Sequence, residues 1–280
     1  MKINCIITGA TDGIGKQTTI ELAKLGYNIG LVGRNKEKGC SVLKEIKTIT
    51  GNQSLKYFDA DLSVIKNLNK LTDEIKNEYN SVDILINNAG SYFSNFKKTK
   101  EDLENTFALN HLNYFVLTHL LIKALDSERP GRVINVASSA HFNAKLNMDD
   151  IQMKRKYRGW TAYCNSKLMN ILFTYEAHRR YKDKNISFNC LHPGFVDTSF
   201  GDNNTGLAKN ILSIGKKIMA INVQKGAKTN VYLASSNEVK NVSGKYFDKS
   251  NIVKSSKISH SNINQKKLWS YSEEIMNNLL

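Results

Sequence analysis

Proline is almost absent: Pro130 and Pro193 are the only two in 280 residues, and no Ser/Gly-rich run accompanies them. Nothing therefore marks a linker, and a single domain is expected over 1–280. Cysteine is also sparse. Cys5, Cys40, Cys164 and Cys190 form no CxxC pair, and three of them lie in or beside apolar runs. That excludes a disulfide framework and points to reduced thiols in a reducing compartment. No stretch reaches the roughly 18 uninterrupted apolar residues of a spanning helix. Met1 to Ala10 run directly into a strand and a glycine loop, so no signal peptide or anchor is expected there. A cytoplasmic protein, at most peripheral on a membrane surface, follows. The six histidines, His111, His119, His141, His178, His192 and His260, show no metal-ligand spacing with Cys or carboxylates, and no metal site is expected.

Acidic residues are outnumbered, 25 against 40 Lys and Arg, giving a formal charge of +15. Such an excess suits an anionic cofactor, an anionic lipid surface or nucleic acid. The lysines are spread along the chain among many asparagines, which suggests compositional bias more than a designed patch. The segment 240–267 is more basic than the rest and could touch a lipid surface. No RNP-like, zinc-finger or helix-turn-helix signal is present, so nucleic acid is not an expected partner. Apolar residues at 41% and charged residues at 23% are ordinary globular values and argue against disorder.

Short apolar runs alternate with helical patterns throughout. Strands are expected at Ile3 to Ile7, Asn28 to Val32, Lys56 to Phe58, Asp83 to Asn87, Arg132 to Val136, Ser187 to Leu191 and Lys245 to Phe247. Helical spacing links Ile14, Thr18, Leu22 and Leu25, then Val64, Leu68, Leu71 and Ile75, with Ser63 placed as N-cap of the second and Gly26 as the C-terminal glycine of the first. Parallel strands need long crossovers, so this alternation predicts an α/β domain: a Rossmann-type doubly wound parallel sheet of about seven strands with helices on both faces. A substrate loop is expected at about 198–223, ahead of a helix over Gln224 to Ser235, and a basic C-terminal extension at about 248–280.

The first strand ends in Thr8-Gly9-Ala10-Thr11-Asp12-Gly13-Ile14-Gly15, and a helix starts at once. Glycines at 9, 13 and 15 let the backbone turn sharply and approach a pyrophosphate, whose charge meets the positive end of the helix. About twenty residues on, where NAD-binding proteins carry an acidic residue for the ribose 2′-hydroxyl, the sequence reads Val32-Gly33-Arg34-Asn35. An arginine there can pair with a 2′-phosphate, aided by Lys16 or Lys36, so NADP(H) is favoured and NAD(H) is the alternative.

Tyr163 and Lys167, in Tyr163-Cys164-Asn165-Ser166-Lys167, are four apart on a helical pattern running to about Arg180 and share one face. A phenol titrates near pH 10 and needs a neighbouring cation to ionise more readily; Lys167 would supply one. The pair has company: Asn87-Asn88-Ala89-Gly90, Asn110 in Leu109-Asn110-His111, Ser138-Ser139 after a strand, and Pro193-Gly194.

This ordered set resembles the short-chain dehydrogenase/reductase family from Thr8 to about Phe247. The resemblance implies that Tyr163 exchanges a proton with the substrate oxygen, Lys167 lowers the tyrosine pKa and holds the nicotinamide ribose, and a serine hydroxyl bonds the same substrate oxygen. Asn135-Val136-Ala137-Ser138-Ser139-Ala140 aligns Ser138 with the catalytic serine, with Ser139 the alternative. Asn110 would hold a water linking Lys167 to solvent. Asp61, with Leu62, would sit beside the adenine; Asn87, Asn88, Ala89 and Gly90 would pack along the cofactor; and Pro193, Gly194, Val196 and Thr198 would orient the nicotinamide amide. The 25 residues from Ser138 to Tyr163, with the strings VASSAH (136–141), YCNSKLMNILFT (163–174) and LHPG (191–194), are similar to the retinol dehydrogenase group. That implies a lipophilic alcohol or carbonyl as the small-molecule substrate. A polar ketone, a C=C bond, and NADP(H) sensing without turnover are the alternatives. Dimerisation through the helices carrying Asn110 and Tyr163 is a further implication of the family.

Overall fold

A computed structural model describes residues 2–194 and 223–280. Among the described residues, eight strands form one sheet: β1 (Asn4–Thr8), β2 (Asn28–Gly33), β3 (Leu55–Asp59), β4 (Ile84–Asn87), β5 (Gly131–Val136), β6 (Ile186–His192), β7 (Lys245–Asp248) and β8 (Asn251–Val253). The order is β3-β2-β1-β4-β5-β6-β7-β8, parallel except for the final antiparallel pair. Strand order reverses between β1 and β4, and at such a switch point a doubly wound sheet opens a crevice at the carboxyl ends of its strands. The glycine turn, the Asn-Asn-Ala-Gly segment and the serine pair all leave the sheet at that edge.

Side chains alternate along each strand, so the sheet feeds two cores. Ile6, Leu85 and Val133 point to one face, where they meet α3 (Asn67–Glu78), α5 (Asn113–Leu125) and α6 (Gly159–Arg180). Cys5, Ile7, Ile84, Ile86 and Ile134 point to the other, covered by α1 (Gly13–Lys24), α2 (Lys36–Thr50) and α7 (Val223–Ser235). A short helix α4 (Asn105–Phe107) and a π turn (Ala108–Leu112) lead into α5. As expected, Gly26 follows the end of α1 in the left-handed region, at φ 81°. The cysteines are free thiols, with Cys5, Cys164 and Cys190 buried.

Three features differ from the sequence reading. The eighth strand arises from a two-residue hairpin between Asp248 and Asn251. Its central residues, Lys249 and Ser250, both have positive φ, 47° and 65°. A turn of that kind is usually signalled by Asn-Gly or Asp-Gly, and neither is present. Second, Ser63 does not cap α3, which starts four residues later behind Lys66 without a side-chain cap; the Ser63 hydroxyl instead donates to Asp61 Oδ1 (2.7 Å). Third, the basic C-terminal stretch is folded onto the body. Its helix α8 (Asn262–Leu279) is capped by Ser261 and buries Leu268 and Trp269 against Phe115 and Phe173, with the Arg180 guanidinium 4.6 Å from the Trp269 ring. Val196, Thr198 and the expected substrate loop up to residue 222 lie outside the described residues.

Candidate active site

The glycine turn is built by close approach. Gly9 (φ 64°) and Gly13 (φ 48°) occupy the left-handed region that glycine enters without strain. A Cβ on Gly15 would stand 2.6 Å from Asn88 Nδ2 and closer still to the Gly9 carbonyl oxygen. Asn88 locks the turn from the β4 side: its Nδ2 donates to the Thr8 carbonyl (2.8 Å), while the Asn88 and Ala89 amides donate to Thr8 Oγ1 (2.8 and 3.0 Å). Asp12 caps α1 through the Gly13 amide (2.7 Å) and pairs with Lys38 (2.6 Å). The result is a backbone cradle over the N-terminus of a twelve-residue helix, which fits a pyrophosphate. Thr11 lies against Gly33 at the end of β2, where a Cβ would stand 3.0 Å from Thr11 Cγ2. Arg34 follows, and Asn35 caps α2 through the Lys38 amide (2.8 Å). Lys16, one of the two lysines expected to assist Arg34, is engaged by Glu45 (2.7 Å). Asp61 Oδ1 accepts from the Ser63 amide (3.0 Å), and Leu62 is buried in the core.

Asn87 departs from its expected place along the cofactor. Its side chain turns inward, donating to Asn135 Oδ1 (2.9 Å) and Thr118 Oγ1 (3.3 Å), and Asn135 in turn donates to Thr174 Oγ1 (3.0 Å). This buried polar ladder ties β4 and β5 to α5 and α6, fixing the strands from which the site residues emerge.

Tyr163, Lys167, Ser138 and Asn110 converge. Tyr163 and Lys167 face the same way on α6, with Lys167 Nζ 5.7 Å from the phenol ring centroid. Ser138, at the end of β5, hydrogen-bonds the Tyr163 side chain, whereas Ser139 is exposed and begins a 3-10 turn. Burial pushes the Tyr163 phenol up to about 12, opposed by the bond to Ser138. Burial likewise brings the Lys167 ammonium down to about 8, so the cation persists at neutral pH. Lys167 Nζ donates to the Val136 carbonyl (3.1 Å), which also accepts from Asn170 Nδ2 (3.3 Å). Asn110 sits in the π turn, an insertion often found at functional sites. Its amide accepts from the Ser91 N–H (2.9 Å) and donates to the Ser91 carbonyl (2.9 Å) and Ser166 Oγ (3.1 Å), stapling the segment after Gly90 to α6. Gly90 completes the contact, since a Cβ there would stand 3.3 Å from both Asn110 Oδ1 and Lys167 Nζ. Pro193-Gly194 leaves β6 beside them; the Gly194 amide donates to His192 Nδ1 (2.9 Å), and His192 Nε2 lies 3.3 Å from Asp248.

Several contributors were not signalled by any motif. Tyr92 lies edge-on to Tyr163 at 6.5 Å and Trp160 lies tilted at 5.8 Å, so two aromatic rings flank the phenol. Helical spacing places Trp160 near Tyr163, but Tyr92 arrives from a loop 71 residues earlier. Asn170 is likewise on the Lys167 side of α6, three residues on, and only the fold brings it to the Val136 carbonyl.

Residues 4–208 match the short chain dehydrogenase family. Human retinol dehydrogenase 13 is 39% identical over 249 residues, covering 87% of this chain and 75% of the relative. Human polyprenol dehydrogenase is 34% identical over 279 residues, covering 96% and 84%. Among solved structures, a protein of Mycobacterium paratuberculosis with no assigned function superposes with a TM-score of 0.79 at 26% identity, covering 98% of this chain and 93% of that one. A short chain dehydrogenase from Burkholderia cenocepacia in complex with NADP superposes at 0.68 and 20% identity, covering 88% and 95%, a likeness of fold. With the cradle at the switch point, the Tyr-Lys pair on α6 and these similarities together, the chain belongs to the short chain dehydrogenase family of nicotinamide-dependent oxidoreductases and is related to the retinol dehydrogenases.

Proposed function

We propose that the protein is an NADP(H)-dependent oxidoreductase that interconverts a lipophilic alcohol and its carbonyl compound. The observation that carries this reading is the convergence of Tyr163, Ser138 and Lys167 at the carboxyl edge of the sheet, beside the glycine cradle. Two further features support the substrate class: Trp160 and Phe142, 49% and 58% exposed, offer apolar surface next to Tyr163 and the Ser138 turn, and the relatives named above act on retinol and polyprenol by name. Arg34 in place of an acidic residue after β2 supports NADP(H) over NAD(H).

Bound NADP(H) supplies or accepts the hydride. Thr8, Gly9, Thr11, Asp12, Gly13, Ile14 and Gly15 hold the pyrophosphate end, Arg34 the 2′-phosphate, Asp61 and Leu62 the adenine, and Asn88, Ala89 and Gly90 the middle of the cofactor. Pro193 and Gly194 orient the nicotinamide. In the reductive direction the Tyr163 hydroxyl gives its proton to the substrate oxygen, while the Ser138 hydroxyl bonds that same oxygen. Raised by burial, the phenol rests protonated and is poised as the acid. When the proton leaves, the Lys167 cation and the Ser138 bond stabilise the phenolate until it is reprotonated through Lys167 and a water held at Asn110. In the oxidative direction the same groups run in reverse.

The test follows loss of reduced-nicotinamide absorbance with NADPH and, separately, NADH, against retinal and a panel of aldehydes and ketones. Turnover with NADPH, lost by about a hundredfold or more in Tyr163→Phe, is expected for removal of a general acid. Faster turnover with NADH would overturn the Arg34 argument, and NADPH binding without turnover on any substrate would favour a sensing role.

A further inference from the structure

Ser138 can serve the substrate oxygen only if its backbone is held, and the strand that carries it has just ended. The residue three positions on, His141, is fully buried in the 3-10 turn and packs against Tyr246 of β7, with ring centroids 5.0 Å apart. Its two ring nitrogens have different partners. Nδ1 lies 2.7 Å from the Ser138 carbonyl oxygen, and Nε2 lies 3.0 Å from the Ser256 backbone nitrogen.

The partners fix the tautomer. A backbone N–H only donates and a carbonyl only accepts. Nε2 must therefore be the bare nitrogen, and Nδ1 must carry the hydrogen. Neutral imidazole in this one form satisfies both bonds; imidazolium would set an Nε2–H against the Ser256 N–H. Burial favours the neutral ring and outweighs the opposing pull of the Ser138 carbonyl, with the nearby His192 adding to the effect of burial. Ser256 is anchored on its own side: its carbonyl accepts from Ser259 Oγ (2.6 Å), within the segment that leads to α8. Ser255 Oγ next to it bonds the Tyr175 hydroxyl of α6 (2.7 Å).

We propose that His141 is a positioning residue: held as the Nδ1–H tautomer by the Ser256 amide, it donates to the Ser138 carbonyl, and this clamp sets the orientation of the serine that meets the substrate. The role rests on the reading of Ser138 given above. It also gives the stretch beyond β8, outside the motifs of the family, a part in the reaction geometry. Ser138 Oγ already accepts from the Ala140 amide (3.2 Å), so the 3-10 turn and the clamp together determine where that hydroxyl points.

Two variants separate the halves of the clamp. In His141→Asn the amide nitrogen can take the place of Nδ1 and donate to Ser138, but nothing reaches Ser256. In His141→Gln the amide oxygen can accept from Ser256, but no donor faces Ser138. Each loses one bond, so similar losses in Tm are expected. Turnover should not follow Tm: kcat within about threefold of the parent in His141→Asn, and reduced by about tenfold or more in His141→Gln, with NADPH affinity unchanged in both by fluorescence titration. Equal kcat in all three chains, kcat falling in step with Tm, or the opposite ranking would overturn the proposal. Independently of turnover, long-range proton–nitrogen NMR of the histidine-labelled protein reads the tautomer, with the His141 signals assigned by their loss in His141→Asn. A protonated Nδ1 is expected, and a protonated Nε2 would refute the clamp. If the parent turns over no substrate, the oxidoreductase reading fails while the NMR result still decides the clamp.

Discussion

Replacing Lys167 with methionine should make the protein more stable and nearly inactive. The side chain is 4% exposed, and burial alone brings its ammonium from an ordinary 10.5 to about 8. That fall corresponds to about 3 kcal/mol by which the fold disfavours the charge. Methionine has nearly the same length and no charge. Its cost is one hydrogen bond to the Val136 carbonyl, worth about 1.5 kcal/mol for a charged donor. That carbonyl keeps a partner in Asn170 Nδ2, so no orphaned acceptor is left. The net gain is then on the order of 1–2 kcal/mol at pH 7, or roughly 2–6 °C in Tm for a chain of this size. The gain has a pH signature. Below pH 8 the amine is protonated in both folded and unfolded chains, and the cost of burial is full. Between 8 and 10.5 the folded chain has released its proton while the unfolded chain still binds one, so the stability of the parent rises with pH. The gap between variant and parent should therefore narrow over that window in cofactor-free calorimetry. Turnover should fall by about a hundredfold or more through loss of the cation beside the phenol. A methionine variant less stable at pH 7, or a gap that does not change up to pH 10, would refute the claim that Lys167 is held at the expense of stability.

Two other substitutions probe the scaffold. Gly15→Ala drives a Cβ against the Gly9 carbonyl and to 2.6 Å from Asn88 Nδ2; loss of NADPH binding by about tenfold or more is expected by fluorescence titration, because the backbone amides of the turn must move. Asn87→Leu leaves the buried Asn135 Oδ1 without its donor (2.9 Å) and puts an apolar side chain among polar ones; a loss of about 1–3 kcal/mol in denaturant unfolding is expected, with the Tyr163 and Ser138 positions unaltered by direct contact.

Much of the architecture was legible because it rests on local rules. All seven expected strands appear within one residue of the expected bounds, since each is an apolar run closed by turn residues. Gly26 ends α1 because a left-handed residue is needed there. The β8 hairpin was not legible: Lys249 and Ser250 adopt positive φ without carrying the usual signal, held in part by the bond from the Ser250 amide to Thr229 Oγ1 (3.1 Å). Ser63 misled for a similar reason, since its hydroxyl had a competing acceptor two residues back in Asp61.

The site divides along the same line. Sequence alone determined that a glycine turn follows the first strand, that Tyr163 and Lys167 share a helix face, and that Arg34 stands where a carboxylate would read a 2′-hydroxyl. Those facts depend on spacing within one element. Only the tertiary structure decided that Asn87 faces the interior, that Lys167 is almost fully buried, and that Ser256 reaches back to His141 across 115 residues. Contacts between elements distant in the chain depend on register and packing, and no local pattern encodes them.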